Sequence, residues 1–207
     1  LHMDSAKNVQ IHVFCDSSTE IFAALAYLRV EFPRGEREDE KEVVISLLDG
    51  KARVTPPKSE SVSRNELNAC VMGVRLGQQK ARSLDIDPLT VQYWTDSKNC
   101  LFWINTPSHI AKTYVANRVG EIQASSDLKL WRHVPTKENP ADIPTRKPSL
   151  DELVKNDLYW KGPEFLKKQR CYWPPKFDEV KMESNDEITK EIKKDFMKEV
   201  IRGDTLR

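Results

Sequence analysis

The sequence predicts an α/β fold: a five-stranded mixed sheet, three antiparallel strands and then parallel strands, flanked by helices, with a C-terminal helical extension. Two observations predict it. Three strand-like runs stand in a row before the first helical pattern, and strand and helix patterns alternate after it. The first arrangement suits an antiparallel meander; the second suits parallel pairing through helical crossovers. The 207 residues suffice for one domain with a full core plus an appendage.

Each element has its own signal. Val9, Ile11, Val13 and Cys15 alternate with Gln10, His12, Phe14 and Asp16, the period of a strand. Ile21 to Val30 is a nearly unbroken apolar run and reads as a buried neighbour. The charged stretch 33–42 reads as a solvated hairpin tip, which makes Val43 to Leu48 the third strand. A loop with Gly50, Pro56 and Pro57 follows. Ser63 then starts a helix with Leu67, Cys70, Val71 and Val74 on one face. Leu89 to Thr95 reads as the fourth strand and Ser97 to Ile104 as a short helix. Beyond the Thr106-Pro107-Ser108 break, Lys112 to Ala124 reads as a helix and Leu128 to Val134 as the fifth strand.

The character changes after Arg146. Ser149 and Glu152 have the spacing of a capping box for a helix ending near Asn156. Tyr159, Trp160, Phe165, Tyr172 and Trp173 then punctuate a loop-rich stretch that is expected to pack back on the domain. From Asn185 to Arg202, Ile188, Ile192, Phe196 and Val200 recur at helical spacing before Gly203. That narrow stripe either docks on the domain or serves a partner. The expected organisation is residues 1–8 as a leader, with Leu1-His2-Met3 an expression remnant; 9–147 the main domain; 148–175 the aromatic extension; and 176–207 a charged helical tail.

Composition narrows the function. No long apolar run is present, which argues against a membrane protein. A formal net charge of +1 means that nucleic-acid binding would need a local basic patch or metal ions, because the overall field would not supply it. Cys15, Cys70, Cys100 and Cys171 lack zinc-type spacing and suggest a reducing, intracellular compartment, cytoplasm or nucleus.

Four acids stand in distinctive contexts: Asp16 in IHVFCDSS, Glu66 in SRNELNA, Asp96 in VQYWTDSK and Asp142 in ENPADIPTR. Each alone has an ordinary explanation. Glu66 follows Ser63 at capping-box spacing, Asp142 follows Asn139 and Pro140 at a helix start, and Asp16 and Asp96 each precede a turn serine. As a set at strand ends and helix starts, they could converge on divalent metal ions and cut phosphodiester bonds. An aspartic peptidase would need glycine after Asp-Ser; Ser18 and Lys98 stand there instead. Trp94, Trp103 and Trp131 read as core.

The order and contexts of the acids resemble ribonuclease H, with Arg64 to Ala69 and Thr95 to Ser97 similar to its second and third motifs. WTDSKNCLFWI, TYVANRVGEIQ, WRHVPTKENPADIPTR and LYWKGPEFL are similar to the ribonuclease H region of BEL/Pao-type retrotransposon polyproteins, over about Val9 to Pro174. The resemblance implies a ribonuclease H-like fold and an endonuclease that cleaves the RNA strand of RNA–DNA hybrids. Asp16 would bridge two Mg²⁺ ions, Asp142 would complete the water-activating site, and Glu66 with Asp96 would hold the second ion; Mn²⁺ would substitute. His133 matches a mobile histidine that assists proton transfer or product release, or is simply a strand-ending histidine. Arg64, Lys98 and Asn99 are candidates for nucleic-acid backbone contacts, with plain surface exposure the competitor for Lys98. Pro144 is expected to shorten the turn that aims Asp142. No basic protrusion separates the two central helices, so a neighbouring reverse transcriptase domain, or another protein on the C-terminal tail, is a candidate partner. The alternative function is a repurposed, non-catalytic scaffold or nucleic-acid-binding domain in a host protein.

Overall fold

The computed structural model describes residues 8–33, 41–55, 61–175 and 186–196. Its sheet has five strands in the order β3-β2-β1-β4-β5: β1 Asn8–Ser17, β2 Ile21–Pro33, β3 Lys41–Val54, β4 Gln92–Thr95 and β5 Trp131–His133. β1 pairs antiparallel with β2 and β2 with β3, whereas β1–β4 and β4–β5 are parallel. This is the expected five-stranded mixed sheet, three antiparallel strands followed by parallel ones.

The helices are α1 Val62–Ser83, α2 Lys98–Ile104, α3 Thr113–Ser125, α4 Asp142–Thr145, α5 Leu150–Val154, α6 Asp157–Lys161 and α7 Asp186–Lys190. Because β1 is central, both its faces are covered. Ile11, Val13 and Cys15 meet Leu67, Cys70 and Val74 of α1, and Trp103 and Trp131 join that core. Phe14 faces the other way, against Tyr27, Trp94 and Phe165. The aromatic extension supplies that second layer. The Tyr27 hydroxyl donates to the Tyr159 carbonyl at 2.6 Å, and Arg29 Nε donates to the Leu166 carbonyl at 2.6 Å. Trp160 and Tyr172 remain exposed.

Several boundaries differ from the sequence expectation, each for a local reason. β3 runs on to Val54, because Gly50 lets the strand pass close under Leu25 and a bulge opposite Ala26/Tyr27 absorbs one residue. β4 is shorter, since Asp87 caps a 3₁₀ turn over Pro88–Thr90. β5 is shorter too, after a turn at Leu128–Leu130 capped by Asp127. α1 is capped by Ser61, not Ser63, so Glu66 belongs to no capping box. The Ser149–Glu152 box forms as expected. The tail is not one helix: α7 stops at Lys190, and Ile192 instead bridges to Ala111. Most of the charged tip, Pro56, Pro57, Val200 and Gly203 lie outside the described residues.

Close packing of α1 on β1 depends on Gly73. A Cβ there would lie 2.3 Å from Cys15 Sγ and 3.3 Å from Val13 Cγ1. Gly73→Ala is therefore expected to lower stability by about 2 kcal/mol, as overpacking does. Urea unfolding checks this; an unchanged midpoint would show that the helix shifts freely.

Candidate active site

The parallel register carries the ends of β1 and β4 to the same edge, where Cys15 pairs with Thr95 and Thr95 with His133. Asp16 and Asp96 follow directly. Asp16 is 6% exposed. The Thr145 hydroxyl, held 2.8 Å from the Asp142 carbonyl oxygen, lies 2.9 Å from Asp16 Oδ2. Burial first, and the charges of Asp96 and Asp142, push the Asp16 carboxyl up to about 7, against the lowering effect of the Thr145 hydrogen bond.

Glu66 projects from the second turn of α1, and the Ser97 hydroxyl donates to its Oε2 at 2.5 Å. Burial pushes it up to about 7 as well, with the charges of Asp96 and Glu187 adding and the Ser97 bond opposing. Asp142 opens α4, a helix of four residues with Pro144 inside it, and Arg146 Nε donates to Asp142 Oδ2 at 2.6 Å. His133 Nε2 lies 3.2 Å from the Asp96 carbonyl oxygen. Burial, and to a lesser degree Lys98, lower its pKa, while the Asp96 contacts oppose.

The fold thus gathers Asp16, Asp96, Asp142 and His133 at one sheet edge, with Glu66 coupled to them through Asp96. The other three residues have different settings. Lys98 is exposed near His133. Asn99 Nδ2 donates to Ser63 Oγ at 3.1 Å and ties α2 to α1. Arg64 is held by Glu191.

Three supporting groups escaped the sequence reading. Asn139, fully buried, donates to the Cys15 carbonyl at 3.1 Å and to Asp96 Oδ1 at 3.4 Å, and accepts from the Ala141 amide at 3.2 Å. It joins β1, β4 and α4 through one side chain. Thr145 and Ser97 each hold a carboxylate. In the sequence Asn139 and Ser97 read as cap and turn residues and Thr145 carries no signal, and nothing local distinguishes a ligand support from a cap. A groove of about 560 Å³, lined by Phe22, Lys51, Arg53, Asn68, Arg75 and Arg118 among others, was also missed. It starts where Phe22 pairs with Ser17, one residue past Asp16. Its cations come from β3, α1 and α3, so no sequence run reveals them.

Residues 1–97 match the family model described as the Pao retrotransposon-like RNaseH-like domain. The matched span carries Asp16, Glu66 and Asp96 and ends before Asp142. No curated protein matches the chain. Solved structures similar to it include the N-terminal RNase H domain of a Mycobacterium tuberculosis protein, fused to maltose-binding protein, at 12% identity over 68% of this chain and 96% of that one, TM-score 0.41. RNase H1 from Halobacterium salinarum NRC-1 is 12% identical over 64% and 89%, TM-score 0.33. LC9-RNase H1, a type 1 RNase H with the type 2 active-site motif, is 13% identical over 69% and 71%, TM-score 0.37.

A divalent ion has a suitable donor set here. The carboxylates of Asp16, Glu66, Asp96 and Asp142 supply the hard oxygens that such an ion prefers. Among the described residues no three His, Cys, Asp or Glu side chains stand ready around one point. Mg²⁺ does not require that, because it is held by one or two carboxylates with water and substrate phosphate completing its shell.

Proposed function

We propose that the chain is a metal-dependent endoribonuclease that cleaves the RNA strand of RNA–DNA hybrids. The supporting observation is the convergence of Asp16, Asp96 and Asp142, from two strand ends and a helix start, with Glu66 beside Asp96. The charges of Asp96 and Asp142 make ionisation of Asp16 costlier, and that of Asp96 does the same to Glu66, so the complement of this cluster is a cation.

In this reading Asp16 and Asp96 are the central ligands, with Glu66 and Asp142 on either side. Bound divalent ions would supply Lewis-acid activation of water and neutralise charge on the leaving oxygen. Thr145 and Ser97 aim Asp16 and Glu66. Asn139 fixes the distance between the two strand ends. His133, kept largely neutral beside Asp96, can accept a proton at its ring. The cationic groove gives a phosphate backbone its grip. A retrotransposon origin and an intracellular site of action belong to the same reading.

The Asp142–Arg146 pair favours a second reading, a non-catalytic nucleic-acid-binding domain, because the guanidinium already neutralises one candidate ligand. Cleavage of a labelled hybrid separates the two. The wild type is expected to cut in Mg²⁺ or Mn²⁺ and Asp96→Asn to be slower by about a hundredfold or more. Binding without cutting by the wild type would reject the nuclease and leave the binding domain.

A further inference from the structure

The segment 186–196 lies against the functional edge and not away from it. Ile188 and Ile192 are 0% and 1% exposed and enter the core under α2 and α3. The Lys112 amide donates to the Glu191 carbonyl at 2.7 Å, and the Lys193 amide to the Ile110 carbonyl at 2.9 Å. These contacts lay the segment across the Thr106–Lys112 connection, where the chain itself has no protruding element.

The seat delivers a carboxylate to the start of α1. Glu191, 8% exposed, takes the Arg64 guanidinium in a fork, Nε to Oε1 at 2.8 Å and Nη2 to Oε2 at 3.1 Å. A bidentate carboxylate presents two oxygens to arginine much as a phosphate does. Arg64 is two residues from Glu66 and its guanidinium stands 4.5 Å over the Tyr114 ring.

We propose that residues 186–196 form an acidic strap in which Glu191 occupies the arginine that a nucleic-acid phosphate would use, so that the strap must yield when a strand binds. This rests on the nuclease reading above. Binding is then a competition between two anions for Arg64. The strap withholds one cation from the substrate. Its helical part is five residues long, so opening it disrupts little regular structure.

Fluorescence anisotropy of a labelled RNA–DNA hybrid, with Ca²⁺ in place of Mg²⁺, tests this on the full chain. Glu191→Gln keeps the size of the side chain and removes its charge. It is expected to tighten binding about fivefold, the scale of one partly exposed ion pair. Arg64→Ala is expected to weaken binding, and in that background Glu191→Gln is expected to change nothing. Amide exchange within 186–193 should rise when the hybrid is added. Equal or weaker binding by Glu191→Gln overturns the strap. So does the same tightening with and without Arg64, which would mean only long-range charge. Cleavage by the wild type with unaltered Glu191→Gln binding sinks the strap and leaves the nuclease standing. No binding by any variant overturns both.

Discussion

Asp16→Asn is expected to abolish hybrid cleavage and, in the absence of divalent ions, to raise the melting temperature. The carboxyl is buried, and its pKa is pushed up from the ordinary carboxylate range to about 7. A raised carboxyl pKa means that the folded state favours the protonated form. Stability from this group is therefore greatest near pH 4 and is lost as pH rises towards and past 7, where both states are ionised and the folded one bears the cost. Asparagine is never charged and still accepts from the Thr145 hydroxyl. At pH 8 the variant should gain about 2 kcal/mol, or about 5 °C in a chain of this size. At pH 5 the gain should shrink. Thermal melts at both pH values check this, with Mg²⁺ expected to stabilise the wild type more than the variant. A variant that melts lower at pH 8 would show that Asp16 is not under like-charge stress.

Asn139→Ala is expected to cost about 3 kcal/mol and to depress cleavage, although Asn139 is no candidate ligand. Its removal strands the buried Cys15 carbonyl and the Ala141 amide, each costing about 1–3 kcal/mol. It also frees α4, which carries both Asp142 and Thr145. Asn139→Asp should be worse than alanine, because a carboxylate would face the Cys15 carbonyl and Asp96 where the amide now donates. Urea unfolding combined with hybrid cleavage gives the order. If aspartate proves milder than alanine, the donor role assigned to Asn139 is wrong.

The period-2 pattern of Val9 to Cys15 and the apolar face of the first helix were legible because each depends on neighbours in sequence. Strand ends were less so. Leu89 and Leu128 are apolar and strand-like, yet Asp87 and Asp127 hold both stretches in turns. The tail failed differently. Its spacing promised a helix to Arg202, but the backbone after Lys190 finds partners at Ile110 and Lys112, a tertiary alternative that helical periodicity cannot anticipate.

The candidate site divides along the same line. Local sequence determined the four acids, their strand-end and helix-start positions and the α/β order, since those follow from patterning within a few residues. Tertiary structure alone decided how they are used. It made Glu66 a partner of Ser97 and not a cap, put Asp16 under Thr145, and set Asn139 between two strands. It also turned Arg64 towards Glu191, 127 residues away. Caps and ligand supports use the same residue types and the same hydrogen bonds. Which of them a residue becomes depends on what the fold places opposite it.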